Sequence, residues 1–309
     1  ISDEYFLDNY QIEDYIDNSD RINSRTTFIT ADYLKRLKQF DLSFRLENYI
    51  FGDNKSNLLS SSLRIDLNKN NFLAFKYKLS STSPNYNQIL YRSNYENYNW
   101  NNQFDNTLTN SLGLQLELKN LIDLDVSFIS VGKHIQFEKV TNQSVDGEID
   151  ISIVPVQYDS SLDLFKVNLK RQINFGKFSI DSRLLFQKSI SENIINIPDI
   201  VSRNTIYYST DMFKKALYLQ TGFGIKYFSK FYMNGYDPLL SELYLQNEKK
   251  IGDFPIIDFF VNAKIQQTRL YFKFEHLNSS FTGYNYYSAP NYPYRDFTFR
   301  FGLIWNFFM

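Results

Sequence analysis

His134 and His276 are the first residues to weigh for chemistry, because imidazole is both the commonest metal ligand and the natural general base near neutral pH. Neither has a set of Cys, Asp or Glu at metal-ligand spacing, and Glu275 beside His276 points to the opposite strand face. Both histidines therefore read as interface or wall residues. The chain has no cysteine, which removes thiolate chemistry and disulfides. It has no GxSxG elbow, P-loop, dinucleotide fingerprint or HExxH zinc pattern. Loop carboxylates could hold calcium, but no EF-hand spacing supports that. Only a Ser, His and Asp or Asn set gathered from separate strands would escape a reading of spacing. The sequence thus points to a non-enzyme without a cofactor.

The charged side chains carry a stronger signal, because they alternate with apolar ones. Arg64, Asp66, Lys76, Lys78, Glu117, Lys119, Asp123, Asp125, Lys166, Lys170, Asp181, Arg183, Lys226, Asp258, Lys264, Lys273, Glu275 and Arg300 all fall on one face of segments whose other face is apolar. Such residues either neutralise one another along a wall or line a water-filled lumen and bias the charge of a solute. The mixture of signs gives no ionic preference. A net charge of -1 and a pI near 6.2 offer no basic face for nucleic acid.

A second set of candidates is aromatic. Tyr95, Tyr98 and Trp100 lie in an asparagine-rich stretch, and Tyr284, Tyr286, Tyr287, Tyr292 and Tyr294 lie between Phe281 and the last strand. Tyr, Asn and Trp in loops suit glycan stacking, protein contacts or a lid, and aromatics near a strand end also suit a membrane-interface belt.

The elements that hold these residues are strands. From Phe297 to Met309 every second residue is apolar, while Thr298, Arg300, Gly302, Ile304, Asn306 and Phe308 form a mostly polar second face. Similar period-two patterns recur upstream to make thirteen segments, two weaker ones near 24–34 and 203–210 among them. No run approaches about eighteen apolar residues, so helical membrane spans are excluded. Alternation explains how a mean hydropathy of -0.38 can belong to a membrane protein, since a barrel wall needs only alternate residues apolar.

The connections alternate too. Short links near 35–37, 68–71, 120–121, 171–173, 211–215 and 266–268 interleave with long ones near 51–57, 83–107, 138–160, 188–202, 230–255 and 280–296. Short periplasmic turns and long extracellular loops are the habit of outer-membrane barrels, and a periplasmic Met309 puts every short link on one side. A large soluble antiparallel protein has no reason to sort its loops by length. The expected fold is all-β: a transmembrane antiparallel β-barrel of the outer-membrane type, with about 13–14 strands visible in one domain over 1–309. An odd count is awkward for a single-chain barrel, so further strands are expected upstream, with the acidic 1–20 segment as an extracellular loop.

The stretch Gly283-Tyr284-Asn285-Tyr286-Tyr287-Ser288-Ala289-Pro290-Asn291-Tyr292-Pro293-Tyr294-Arg295-Asp296, with Phe299-Arg300-Phe301-Gly302-Leu303-Ile304-Trp305-Asn306-Phe307-Phe308 after it, resembles the end of the putative porins of the Bacteroidetes. Phe272-Lys273-Phe274-Glu275-His276-Leu277-Asn278 fits the same family. The resemblance is specific over about 256–309 and one of pattern elsewhere. It implies an outer-membrane barrel from a Gram-negative bacterium that is the C-terminal portion of a longer protein. It brings no substrate. Barrel and family together give the expectation of a porin-like channel for passive diffusion of small polar solutes. The alternative is a structural or accessory barrel subunit of a larger outer-membrane secretion or nutrient-uptake complex. Expected partners are outer-membrane lipid and lipopolysaccharide, the barrel-assembly machinery during insertion, and other outer-membrane proteins or lipoproteins.

Overall fold

In the computed structural model, every residue is described except 1, 6–21, 53–54, 96, 120, 144–148, 192–193, 282–285 and 308–309. Tyr284, most of the acidic N-terminal segment and the last two residues of the terminal pattern therefore lie outside the described residues. Alternating β-branched, aromatic and polar residues give thirteen long strands in one antiparallel sheet. They are β1 (Thr27–Leu37), β2 (Phe40–Phe51), β3 (Asn57–Asn68), β4 (Asn71–Thr82), β5 (Thr107–Leu118), β6 (Ile122–Gly132) and β7 (Leu162–Phe175). The rest are β8 (Phe178–Ser189), β9 (Ile200–Met212), β10 (Leu217–Phe228), β11 (Ile256–Ile265), β12 (Thr268–Glu275) and β13 (Thr298–Trp305). Each strand pairs with its neighbours in sequence, and β1 and β13 form the two edges. Each overlies one of the period-two segments.

Short and long connections fall at opposite ends of this sheet. Two expected short links are misplaced. Residues 171–173 continue β7, and the turn is Gly176-Lys177, where Gly176 takes φ +61°. Likewise 35–37 belong to β1, and the chain reverses at Lys38-Gln39. Gln172 and Asn174 share the polar face of β7 with Lys170, so their polarity marks that face and not a turn.

Burial separates a membrane sheet from a soluble one. Large apolar side chains stay exposed on one face, among them Leu112 at 57%, Phe301 at 72% and Leu303 at 59%. A second sheet packed on that face would have covered them, and a continuous patch of this size on a soluble monomer would be a liability. Phe223, Phe259, Phe274 and Phe299 stand directly opposite one another across four strands, with ring centroids 5.0–5.9 Å apart. Neighbouring pairs of this kind stabilise a sheet where no core backs it.

Most of the buried apolar residues sit instead in the long connections, apart from Ala74, Leu162 and Ile256 in the strands. Trp100, Phe137 and Ile153 form a cluster there, and Leu90, Ile135, Ile251 and Tyr286 are also buried in these connections. The expected loop 138–160 is mostly a hairpin of Ile135–Gln143 and Ile149–Gln157. It joins Gly235–Asp237 and Glu242–Leu245 in a four-stranded sheet of its own. Pro155 and the polar flank of the hairpin hid this alternation in the sequence.

Candidate ligand-facing wall and loop cap

Cross-strand register puts every charged candidate on the same, polar face of the sheet. Arg64 lies 2.9 Å from Asp66, Lys170 3.4 Å from Asp123, and Lys76 2.7 Å from Gln115 and 4.0 Å from Asp125. Arg183 reaches Asp181 only at 3.9 Å. Lys119 donates to Asn70, and Glu117 faces Asp123 across the strands. Lys78, Lys166 and Lys264 face Ser111, Ser127 and Arg269 instead of a carboxylate. The exposed pairs contribute little to stability, about 0–1 kcal/mol each. Sequence reading missed Arg203, which shares this face with Thr205 and Tyr207 and lies directly between Arg183 and Lys226.

A tighter group stands at the end of the sheet that carries the long connections. Asp258 is nearly buried and accepts from Lys226 at 3.1 Å, from Lys273 at 3.2 Å and from the backbone N–H of His276 at 3.0 Å. Glu275 takes Lys273 at 2.7 Å and faces Arg300 at 2.9 Å and Arg295 at 3.6 Å. His276 leaves β12 at φ +52° and is fully buried, which corrects the expectation of a wall or interface residue. Its Nδ1 lies 2.8 Å from the carbonyl of Arg295, and its ring meets the edges of Tyr286 and Tyr294. Tyr286 in turn donates to Asp296. His276 is thus a pin that fastens the last long connection to the wall.

The remaining aromatic candidates tie long connections to one another. Trp100 stacks on Tyr91 at 4.9 Å and donates to the carbonyl of Asn87 at 2.9 Å, while Tyr98 donates to Asp237 at 2.9 Å. Lys249 sits 4.2 Å over the ring of Tyr287. Tyr95 and Tyr292 remain more than half exposed. The segment 229–255 is the hub: Glu242 accepts from Asn87, Glu248 from Lys139, the Gln246 carbonyl from Asn196, and Lys249 donates to Asn291. Five connections are therefore stitched into one cap, lined in part by a polar pocket of about 470 Å³ around Lys139, Tyr158, Tyr232 and Gln246.

Acid should loosen this cap at His134. The residue sits at the base of the hairpin, where burial lowers its pKa below 6.5 against a smaller opposing hydrogen bond from Gln136. Above pH 6.5 both folded and unfolded states are neutral there. As pH falls from 6.5 through the lowered folded value, the unfolded state takes up the proton first, so the cap loses stability. The neighbouring Asp159, held below 3.8 by its hydrogen bond from Lys133, titrates outside that window. Amide exchange in 135–143 should quicken between pH 7.5 and 5.5, and His134→Gln should abolish the change. Equal quickening in the variant would reject the assignment.

Three solved structures show how widely this architecture is shared. The siderophore receptor PirA from Acinetobacter baumannii matches with a TM-score of 0.59 at 12% identity, over 95% of this chain and 47% of that one. The ferric enterobactin receptor PfeA of Pseudomonas aeruginosa gives 0.63 at 13% identity over 93% and 46%. The pyoverdine outer membrane receptor FpvA of the same species gives 0.52 at 13% over 95% and 44%. The chain thus spans about half the length of each. No curated protein matches the sequence. All three are receptors, which overturns the expectation of a channel for passive diffusion. Among the described residues no cluster of three or more His, Cys, Asp or Glu could hold a metal. The protein is an outer-membrane protein, with its short turns periplasmic and its long connections outside. The profile of the family described as Putative porin matches residues 1–309, and the chain belongs to that family.

Proposed function

We propose that the chain forms the wall and extracellular cap of a receptor-type barrel in an outer-membrane nutrient-uptake complex. The observation that carries this reading is the cap: five long connections are hydrogen-bonded into one folded unit with its own apolar cluster, where an open diffusion pore needs a clear mouth. In this reading the polar face, with Arg64, Lys76, Asp125, Lys170 and the other charged candidates, lines the lumen. The aromatic residues of the cap contact the solute or a partner protein. Siderophore recognition by the structurally similar receptors suggests a scarce nutrient carried as a bulky complex as the solute class.

Both sheet edges, β1 and β13, lack a second partner among the described residues, and an unpaired backbone edge is costly in hydrocarbon. Further strands of a longer protein, as in the Bacteroidetes group it resembles, would close the sheet into a single barrel domain. Insertion would then use the barrel-assembly machinery, and an accessory lipoprotein would suit the outer surface of the cap.

The test is conductance of the full-length protein in a planar bilayer, before and after deletion of residues 136–156. A silent wild type whose cap-deleted form conducts is the expected result. Steady conductance of the wild type would overturn the proposal.

A further inference from the structure

On the first three strands, opposite charges face each other across the ladder: Asp32 opposes Arg45, Arg36 opposes Asp41, and Asp41 opposes Arg64. Across β7 to β10 the rule breaks. Lys170 opposes Arg183, Arg183 opposes Arg203, and Arg203 opposes Lys226, so four cations stand side by side on four consecutive strands. Directly opposed like charges destabilise a sheet. Asp123 serves Lys170, Asp181 stands 3.9 Å from Arg183, and Asp258 serves Lys226 while it is shared with Lys273. Arg203 makes no ion pair among the described residues, although it sits at the centre of the row. A wall that only needed to neutralise itself would place a carboxylate there, as it does on the first strands.

The row also borders a cavity. Arg203, Lys226 and Lys273 line a space of about 330 Å³ together with Gln220, Asn262, Tyr271 and the carboxylate of Asp258, which is paired to both lysines. Gly224 presents no side chain into it and leaves the floor open. Three cations against one carboxylate leave the cavity net positive, with Arg203 as the cation that no carboxylate neutralises, and this fits an anion with several oxygens. The apolar face is on the other side of the sheet, so the anion is a soluble one and not a lipid headgroup.

We propose that Arg203 and Lys226, with Arg183 next to Arg203 in the row just outside the cavity, form a binding site for a solute bearing two or more phosphate or carboxylate groups. The anion takes the place of the carboxylate that the register omits. Adjacent cross-strand positions lie about 4.5–5.5 Å apart at Cβ, a spacing that two anionic groups of one solute can bridge, and guanidinium binds each in bidentate fashion. This deepens the uptake reading by naming the solute's charge, and rests on that reading only for the direction in which the solute moves.

The experiment uses the full-length protein in zwitterionic detergent free of lipopolysaccharide, with inorganic phosphate and citrate as probes and chloride as control. Equilibrium dialysis should show saturable binding of citrate, weaker binding of phosphate, and at least a tenfold loss in Arg203→Gln, with Arg203→Lys recovering part of it. Thermal unfolding separates a site from a wall residue. Without either probe and at low salt, Arg203→Gln should unfold no earlier than the wild type, because it removes repulsion; with citrate only the wild type should gain. No saturable binding to the wild type, or an Arg203→Gln variant that unfolds earlier while binding citrate normally, would overturn the site. A wild type that binds citrate yet conducts steadily would sink the uptake reading and leave the anion site standing.

Discussion

Ile206→Arg should destabilise the folded protein in lipid vesicles by about 2–4 kcal/mol, whereas Thr205→Arg, one residue earlier, should cost under about 0.5 kcal/mol. Ile206 is central in β9, 43% exposed on the apolar face between Ile180 and Phe223. A guanidinium there meets hydrocarbon at mid-depth, where the penalty for charge is largest. Thr205 points to the polar face and stands opposite Asp181, so an arginine at that position gains a partner. Denaturant midpoints of the two variants decide the matter. Similar costs at both positions would mean that the two faces see the same medium, and the barrel account would fail.

Asp258→Ala should have a comparable effect for a different reason. The carboxylate is only 5% exposed and holds Lys226, Lys273 and the His276 N–H together. Its removal leaves Lys226 without a carboxylate, Lys273 with Glu275 alone and a backbone donor unpaired. Breaking a buried pair costs about 3–5 kcal/mol, and the 33–39% exposure of the two lysine side chains reduces this to about 2–4 kcal/mol. The loss should be local before it is global, because His276 fastens the 276–297 connection. Hydrogen exchange at Leu277 and Tyr294, whose amides bond to Ile257 and Tyr286 carbonyls, should quicken before the strands of the sheet do. Uniform quickening across the sheet would reject the pin. Asp258→Asn, which keeps an acceptor for the His276 N–H, should recover part of the loss.

These positions also mark where the sequence could be read and where it could not. Period two exposes which face a residue occupies, so the charged set from Arg64 to Arg300 falls on one face, as alternation requires. Strand ends are less legible, because Gln172 and Asn174 are equally at home in a turn or on a wet wall. The 135–157 hairpin escaped for a related reason: its alternation is interrupted by Pro155, and its partner strands, 235–237 and 242–245, are distant in sequence. Relations across strands were out of reach altogether. The like-charge row through Arg203 exists only once Lys170, Arg183 and Lys226 are brought into register, and nothing local to Arg203 marks it. The role of His276 depends on Asp258, which belongs to another strand. Passive diffusion failed as a reading because barrel architecture is shared by pores and receptors, and only the folded cap and the similar solved structures separate them.

The central claim, that one face of the sheet meets lipid and the other water, is tested most directly by cysteine scanning, since the chain contains no cysteine of its own. Single cysteines would be placed at Thr205, Gln220 and Asn262 on the polar face and at Ile206, Leu219 and Val261 on the apolar face. The protein would then be folded into vesicles and treated with a charged, water-soluble maleimide. The account predicts labelling at the first three and protection at the last three. Labelling of both sets alike would contradict it.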